Sequence, residues 1–180
     1  MNKIVFYPTE ENCSQDGIEL KKINIFDNKL TVEIPSEMKE MTEENKNNYY
    51  PYENRPEVIL CGEQGSVQIT FQKMPKLLRE EQVHEAAKSV AALMRNIYSG
   101  KNVGRVHFYD RGEKKIAWFV TVLQGKVKVK NLKFLMEIEN CFTLGTLTYP
   151  VNEENKWEAV IKYIFASISE NRSRNEKGRL

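Results

Sequence analysis

Residues 105–150 read RVHFYDRGEKKIAWFVTVLQGKVKVKNLKFLMEIENCFTLGTLTYP, and the fold turns on how this stretch is parsed. Val106 and Phe108 run to Asp110-Arg111-Gly112; Ile116, Trp118, Val120 and Val122 run to Gln124-Gly125. Val127, Val129, Phe134, Met136 and Ile138 run to Glu139-Asn140, and Phe142 and Leu144 open a last run that Pro150 stops. Alternation with period two places apolar side chains on one face of a strand. Short Asp/Gly/Asn punctuation joins antiparallel neighbours. The spacing predicts a four-strand antiparallel meander.

Working outward, the period changes on both sides. From Pro75 onward Val83, Ala86, Ala87, Val90, Met94 and Ile97 fall three and four residues apart, an amphipathic helix of about 17 residues. Ser99-Gly100 ends it, since glycine tolerates the backbone of a helix C-terminus. Downstream, Trp157, Val160, Ile161, Ile164, Phe165 and Ile168 form one stripe of a helix over Glu153–Ser169. Toward the N-terminus, Ile4–Tyr7 is a short apolar segment followed by a turn-rich loop, Pro8–Gly17. Ile23 and Ile25 pair with Leu30, Val32 and Ile34 across an Asp27-Asn28 turn, a hairpin with one buried face that Pro35 closes. Ser36–Asn54 reads as a long acidic loop with one helical turn at Ser36–Met41. Val58–Cys61 and Val67, Ile69 and Phe71 form a second hairpin around Gly62–Gly65. No internal repeat occurs. Strands, helix, meander and helix, each with one apolar face, specify an α+β layered sandwich: an antiparallel sheet of N-terminal hairpins plus meander, flanked by two main helices.

The chain has 180 residues, 41% of them apolar, enough for a core and against wholesale disorder. Residues 1–170 are expected to form a single domain and 171–180 a basic, frayed tail. The net charge of +2 argues against a histone-like, strongly basic nucleic-acid binder, though the sum alone does not exclude an anionic partner. That sum hides an asymmetry: residues 1–74 carry 8 basic and 13 acidic side chains, and residues 75–180 carry 19 and 12. Three cysteines, Cys13, Cys61 and Cys141, make neither a CxxC nor a metal spacing nor a disulfide framework. The N-terminus lacks a signal-peptide pattern, and no window approaches the roughly 20 apolar residues of a membrane span. A cytoplasmic setting is expected.

Certain segments carry a resemblance. Leu30-Thr31-Val32-Glu33-Ile34-Pro35 is a strand closed by proline; Val67–Phe71 feeds a long helix; Ala117-Trp118-Phe119 lies in the central meander. The last helix begins Trp157-Glu158-Ala159-Val160-Ile161 and closes Ser167-Ile168. Through these, residues 22–170 resemble the PsbP/Mog/DcrB-like superfamily. The resemblance implies a bent antiparallel sheet between helices and a non-enzymatic role in binding another protein. The specific form it suggests is an adaptor or chaperone of a secretion or toxin system. No functional motif of the superfamily matches residue by residue, so no binding residue is carried over.

The residues themselves offer several candidate sites. Tyr49, Tyr50 and Tyr52, bracketed by Pro51, Arg55 and Pro56, form an aromatic element of interface composition, suited either to a partner or to covering one end of the sheet. Lys126, Lys128 and Lys130 alternate with Val127 and Val129, so three ammonium groups would project from one strand face. Such a stripe suits an acidic protein surface or, as an alternative, weak nucleic-acid binding; only Tyr109 offers a base-stacking platform nearby. The contact is expected to use the exposed sheet face, with the tyrosine loop as rim or lid. A different class of reading makes Cys61, at a strand end before Gly62, the nucleophile of a hydrolase or transferase with His84 or His107 as base. Against it, His84 lies in the first turn of a helix, where a positive charge opposes the dipole, and reads as a half-exposed surface residue. His107 alternates out of phase with Val106 and Phe108, toward the less buried sheet face. No nucleotide cradle and no metal-ligand spacing is present, so neither a cofactor nor a metal is expected.

Overall fold

The computed structural model describes residues 4–6, 14–15, 18–63 and 65–171. Cys13, most of the Pro8–Gly17 loop and the basic tail from Arg172 lie outside them. The strands are β1 (Val5–Phe6), β2 (Ser14–Gln15), β3 (Ile18–Ile25), β4 (Leu30–Pro35), β5 (Lys39–Glu40), β6 (Val58–Cys61) and β7 (Gln68–Leu77). After them come β8 (His107–Tyr109), β9 (Ile116–Leu123), β10 (Val129–Ile138), β11 (Cys141–Pro150) and β12 (Ser169–Glu170). The α-helices are α1 (Glu43–Tyr49), α2 (Val83–Ile97) and α3 (Glu154–Ser167).

The architecture is α+β and layered. A seven-stranded antiparallel sheet runs β5-β6-β7-β11-β10-β9-β8, so the meander is present and the second hairpin extends it. The first hairpin does not join this sheet. It forms the centre of a smaller one, β1-β3-β4-β12, with β2 also pairing β3. The β3–β4 turn uses Phe26, Asp27 and Asn28 with φ of 54°, 52° and 65°, the left-handed region that Asn and Asp tolerate better than most residues.

Alternation in the meander assigns the two faces of the large sheet. Leu132, Phe134, Met136 and Ile138 of β10 face α3 and the small sheet, where they pack with Ile23, Val32, Ile69, Trp157 and Phe165. Leu135 points the other way, onto Ala87 and Ala91 of α2 together with Ala117, Phe119 and Phe142. The layers are therefore α2, the large sheet, and a third layer made of α3 and the small sheet. Ser167 Oγ ties α3 to the small sheet by accepting the Glu33 N–H at 2.9 Å.

Three segments differ from the sequence expectation. Ser36–Asn54 is not a loop: β5 pairs β6, and α1 follows with Thr42 as N-cap, its side chain accepting the Asn45 N–H. That helix buries none of its residues, so it has no apolar periodicity to read. Its polar ties are Lys46 bridging Glu40 and Glu43 and Arg55 bonding Glu43 and Asn47. The region after Phe71 also differs, because β7 continues through Pro75 to Leu77 and α2 begins only at Val83. Proline is tolerated there because the pairing to β6 ends at Phe71, leaving that side of β7 an edge. Finally, Ser169 and Glu170 leave the last helix to pair with Thr31 and Leu30. No helix among the described residues is long and apolar enough to cross a membrane.

Candidate binding surfaces

Alternation along β10 also decides which face each polar residue reaches, and it separates the predicted site residues. Lys126 and Lys128 are exposed in the β9–β10 loop rather than in a strand. Only Lys130 lies in β10, opposite Val122 and Tyr149 on the α3 side. The lysine stripe on one strand face is thus not formed, and Lys130 is itself paired with Glu154 at the start of α3.

On that α3 side lies a groove of about 460 Å³. Its floor is Trp118, Val120 and Leu132 of the sheet; Ile161 and Phe165 of α3 form one wall and His107 and Tyr109 of edge strand β8 the other. His107 and Trp118 are register partners, and their rings stack with centroids 4.3 Å apart and 16° between planes. Burial, and then the charge of Arg105, lowers the His107 pKa, favouring the neutral imidazole. The mouth carries Arg111, Lys130 and Lys162 against Glu158. His107 therefore does not point to the less buried face. Phe108 does, 44% exposed and 5.5 Å from the ring of His84. The latter is half-buried at the start of α2, as its helical position suggested.

The tyrosine segment stands on the α2 side, toward the other edge of the large sheet. Tyr50 donates to Gln68 Oε1 at 2.6 Å, and burial raises its pKa to about 12, with Cys61 adding to the effect. Tyr49 and Tyr52 remain 56% and 73% exposed. The segment thus divides: Tyr50 covers the sheet, while its two neighbours face solvent. Arg55 is held by Asn47 and Glu43.

Cys61 sits opposite Gln68 near this edge, and burial raises its thiol pKa. Between β6 and β8 lie four strands, so Cys61 and His107 are about 24 Å apart at roughly 4.8 Å per strand. His84, beside Phe108, is at the same far edge. The Cys–His dyad is not assembled.

Between Tyr50 and α2 the sheet face is polar, with Gln68, Lys133, Thr146 and Thr148 half-buried and Thr70, Thr121 and Asn131 buried. Register places Thr121, Asn131, Thr148 and Gln68 in one cross-strand row, and Phe119, Lys133, Thr146 and Thr70 in the next. Asn131 Nδ2 donates to Thr148 Oγ1 at 2.8 Å, and Lys133 Nζ donates to Asn131 Oδ1. Burial lowers the Lys133 pKa to about 8. Lys133 stands at an odd position of β10, while the lysines singled out from the sequence stand at even ones. A one-residue offset is enough to reverse the face.

With this arrangement described, comparison with solved structures identifies the fold. The chain is similar to PsbP (CyanoP) from Synechocystis, with TM-score 0.59 and 9% identity over 91% of this chain and 100% of that one. The fold is PsbP-like. A protein of Bacteroides thetaiotaomicron is also similar, with TM-score 0.54 and 8% identity over 81% of this chain, which spans about half, 46%, of that protein's length. LpqN of Mycobacterium tuberculosis, described as involved in cell envelope biogenesis, matches with TM-score 0.48 and 8% identity over 95% of this chain and 92% of its own. No family model and no curated protein matches by sequence. The PsbP-like resemblance seen in the sequence therefore holds for the fold.

The groove was hard to see in the sequence. Trp118 and His107 belong to different strands, and only the β8–β9 register stacks them. A signal was available in Trp118, an aromatic residue within the period-two run, together with the cations Arg111 and Lys162 outside the apolar periodicity.

Proposed function

We propose that this chain is a non-enzymatic binding domain that captures an extended, acidic segment of another protein. The observation that supports it best is the groove floored by Trp118 beside β8. As the terminal strand of the large sheet, β8 has a partner on one side only among the described residues. An added strand can pair with its free edge and place an apolar side chain beside Trp118 and Phe165. Arg111 and Lys162 at the mouth suit a carboxylate on that segment. Exposed Tyr49 and Tyr52 would make a second contact with the same partner. An adaptor or chaperone role in the cytoplasm, for a secretion or toxin system, is the specific form in which we place this activity.

A display library of extended peptides, read by amide shifts of His107–Tyr109, tests the reading. Acidic sequences with one large apolar residue should be enriched, the β8 amides should become protected, and R111E/K162E should weaken binding by about tenfold or more. Selection of peptides without acidic bias, or binding that leaves β8 unshifted, would overturn it.

A further inference from the structure

The α2-side face of the large sheet has no part in the groove, yet it presents a cation in neutral surroundings. Lys133 stands in the central strand β10, with Phe119 beside it on β9 and Thr146 on β11. Among the described residues its ammonium reaches one acceptor, the side-chain oxygen of Asn131, and no carboxylate. An ammonium carries three N–H donors, so the arrangement leaves donors unspent. The other side chains of the two rows are hydroxyls and amides. Thr146 and Thr148 are half-buried, hence reachable from solvent. In the neighbouring row, Thr121 Oγ1 is buried without a hydrogen-bond partner among the described residues. Elsewhere in this protein the well-buried lysine is paired: Lys114 meets two carboxylates.

We infer that Lys133 anchors a carboxylate-bearing ligand on this face, between α2 and Tyr50. The ammonium supplies the charge, and the hydroxyls of Thr146 and Thr148 supply further donors. One cation among neutral groups matches a monoanion better than a doubly charged phosphate. Half-buried Leu144, in the next row of β11, gives an apolar surface for a short alkyl chain. Burial with no countercharge beside it lowers the Lys133 pKa to about 8, and a carboxylate placed against the ammonium would offset that burial cost.

The test follows the side-chain Cε–H signals of Lys133 through a pH titration of the whole protein with butyrate, inorganic phosphate or chloride at matched ionic strength. Butyrate should raise the Lys133 midpoint by about one pH unit, the tenfold preference of the anion for the charged amine. Read by the backbone amide shifts of Thr146 and Thr148, butyrate binding should be lost in K133M and retained in K133R, which keeps the charge. A shift with phosphate alone would overturn the carboxylate assignment. An equal shift with chloride, or none with any anion, would overturn the site itself. These signals lie on the face opposite the groove, so the outcome is independent of the peptide experiment.

Discussion

Phe134 of β10 lies across Gly145 of β11. The two are register partners on the face toward α3, and a Cβ at position 145 would overlap three atoms of the Phe134 ring. The absent side chain lets Phe134 lie in the plane where it meets Phe71 edge-on at 5.8 Å and Phe165 at 5.2 Å. This glycine is required by close approach, not by its backbone angles. Gly145→Ala should therefore destabilise by about 1–3 kcal/mol through overpacking. Combining it with Phe134→Leu should recover part of that loss, because the smaller side chain vacates the space. Urea midpoints of the four proteins form the double-mutant cycle. Additive losses would show that the two positions do not compete for one volume.

Lys114 provides the second prediction. Its ammonium lies 2.7 Å from Glu137 and 3.1 Å from Glu170, with all three side chains nearly inaccessible. The cluster joins the β8–β9 turn region to β10 and to β12, locking the chain after α3. Burial alone would lower the Lys114 pKa, but the hydrogen bonds and charges of the two glutamates outweigh it and raise it. Because the folded pKa lies above the unfolded one, this contribution is fully present below pH 10.5 and fades only as pH climbs past it. Lys114→Met should cost about 3–5 kcal/mol, since it strands two buried carboxylates. Adding Glu137→Gln and Glu170→Gln should restore much of that loss. Thermal unfolding at neutral pH reads both effects.

How far these features were legible from sequence depends on what enforces them. The meander, α2 and α3 were readable because burial imposes a period on Ile116–Val122 and on Val83–Ile97. α1 was not, because a helix that buries nothing leaves no such period. β12 leaves no such trace because Ser169 and Glu170 are paired by a distant strand, and the polar partners of Glu170, namely Glu113 and Lys114, are more than 50 residues away. The candidate surfaces needed cross-strand register. Strand alternation alone shows that Lys130 and Lys133 face opposite ways, but only the true start of β10 at Val129 removes Lys126 and Lys128 from the strand.

The acid limb of stability should report on Glu139. Hydrogen bonds from Lys29 and then Lys73 lower its carboxyl pKa, both contacts being 2.8 Å. Its contribution is present above the unfolded value near 4.5 and is lost as pH falls through the lower folded value. The side chain is one-third exposed, so screening limits the effect to about 0.5–1 kcal/mol. Urea midpoints of wild type and Glu139→Gln should converge as the pH drops below 4 and separate above 5. A constant separation across that range would mean that the carboxylate charge contributes nothing.

Cys61 decides between a binding domain and a thiol enzyme. Its side chain is half-buried in β6, and burial raises the thiol pKa, so the reactive thiolate is scarce at neutral pH. Adjacent Tyr50 keeps its proton to about pH 12 and offers no base. Neither histidine is near enough to take the thiol proton. In a protein carrying Cys13→Ser and Cys141→Ser, alkylation of Cys61 at neutral pH should be slower than in the same chain unfolded in urea. The native rate should rise with pH without a plateau below 9. A native rate exceeding the unfolded one, or a plateau near neutrality, would reveal an activated thiolate and would remove the argument for a non-enzymatic domain.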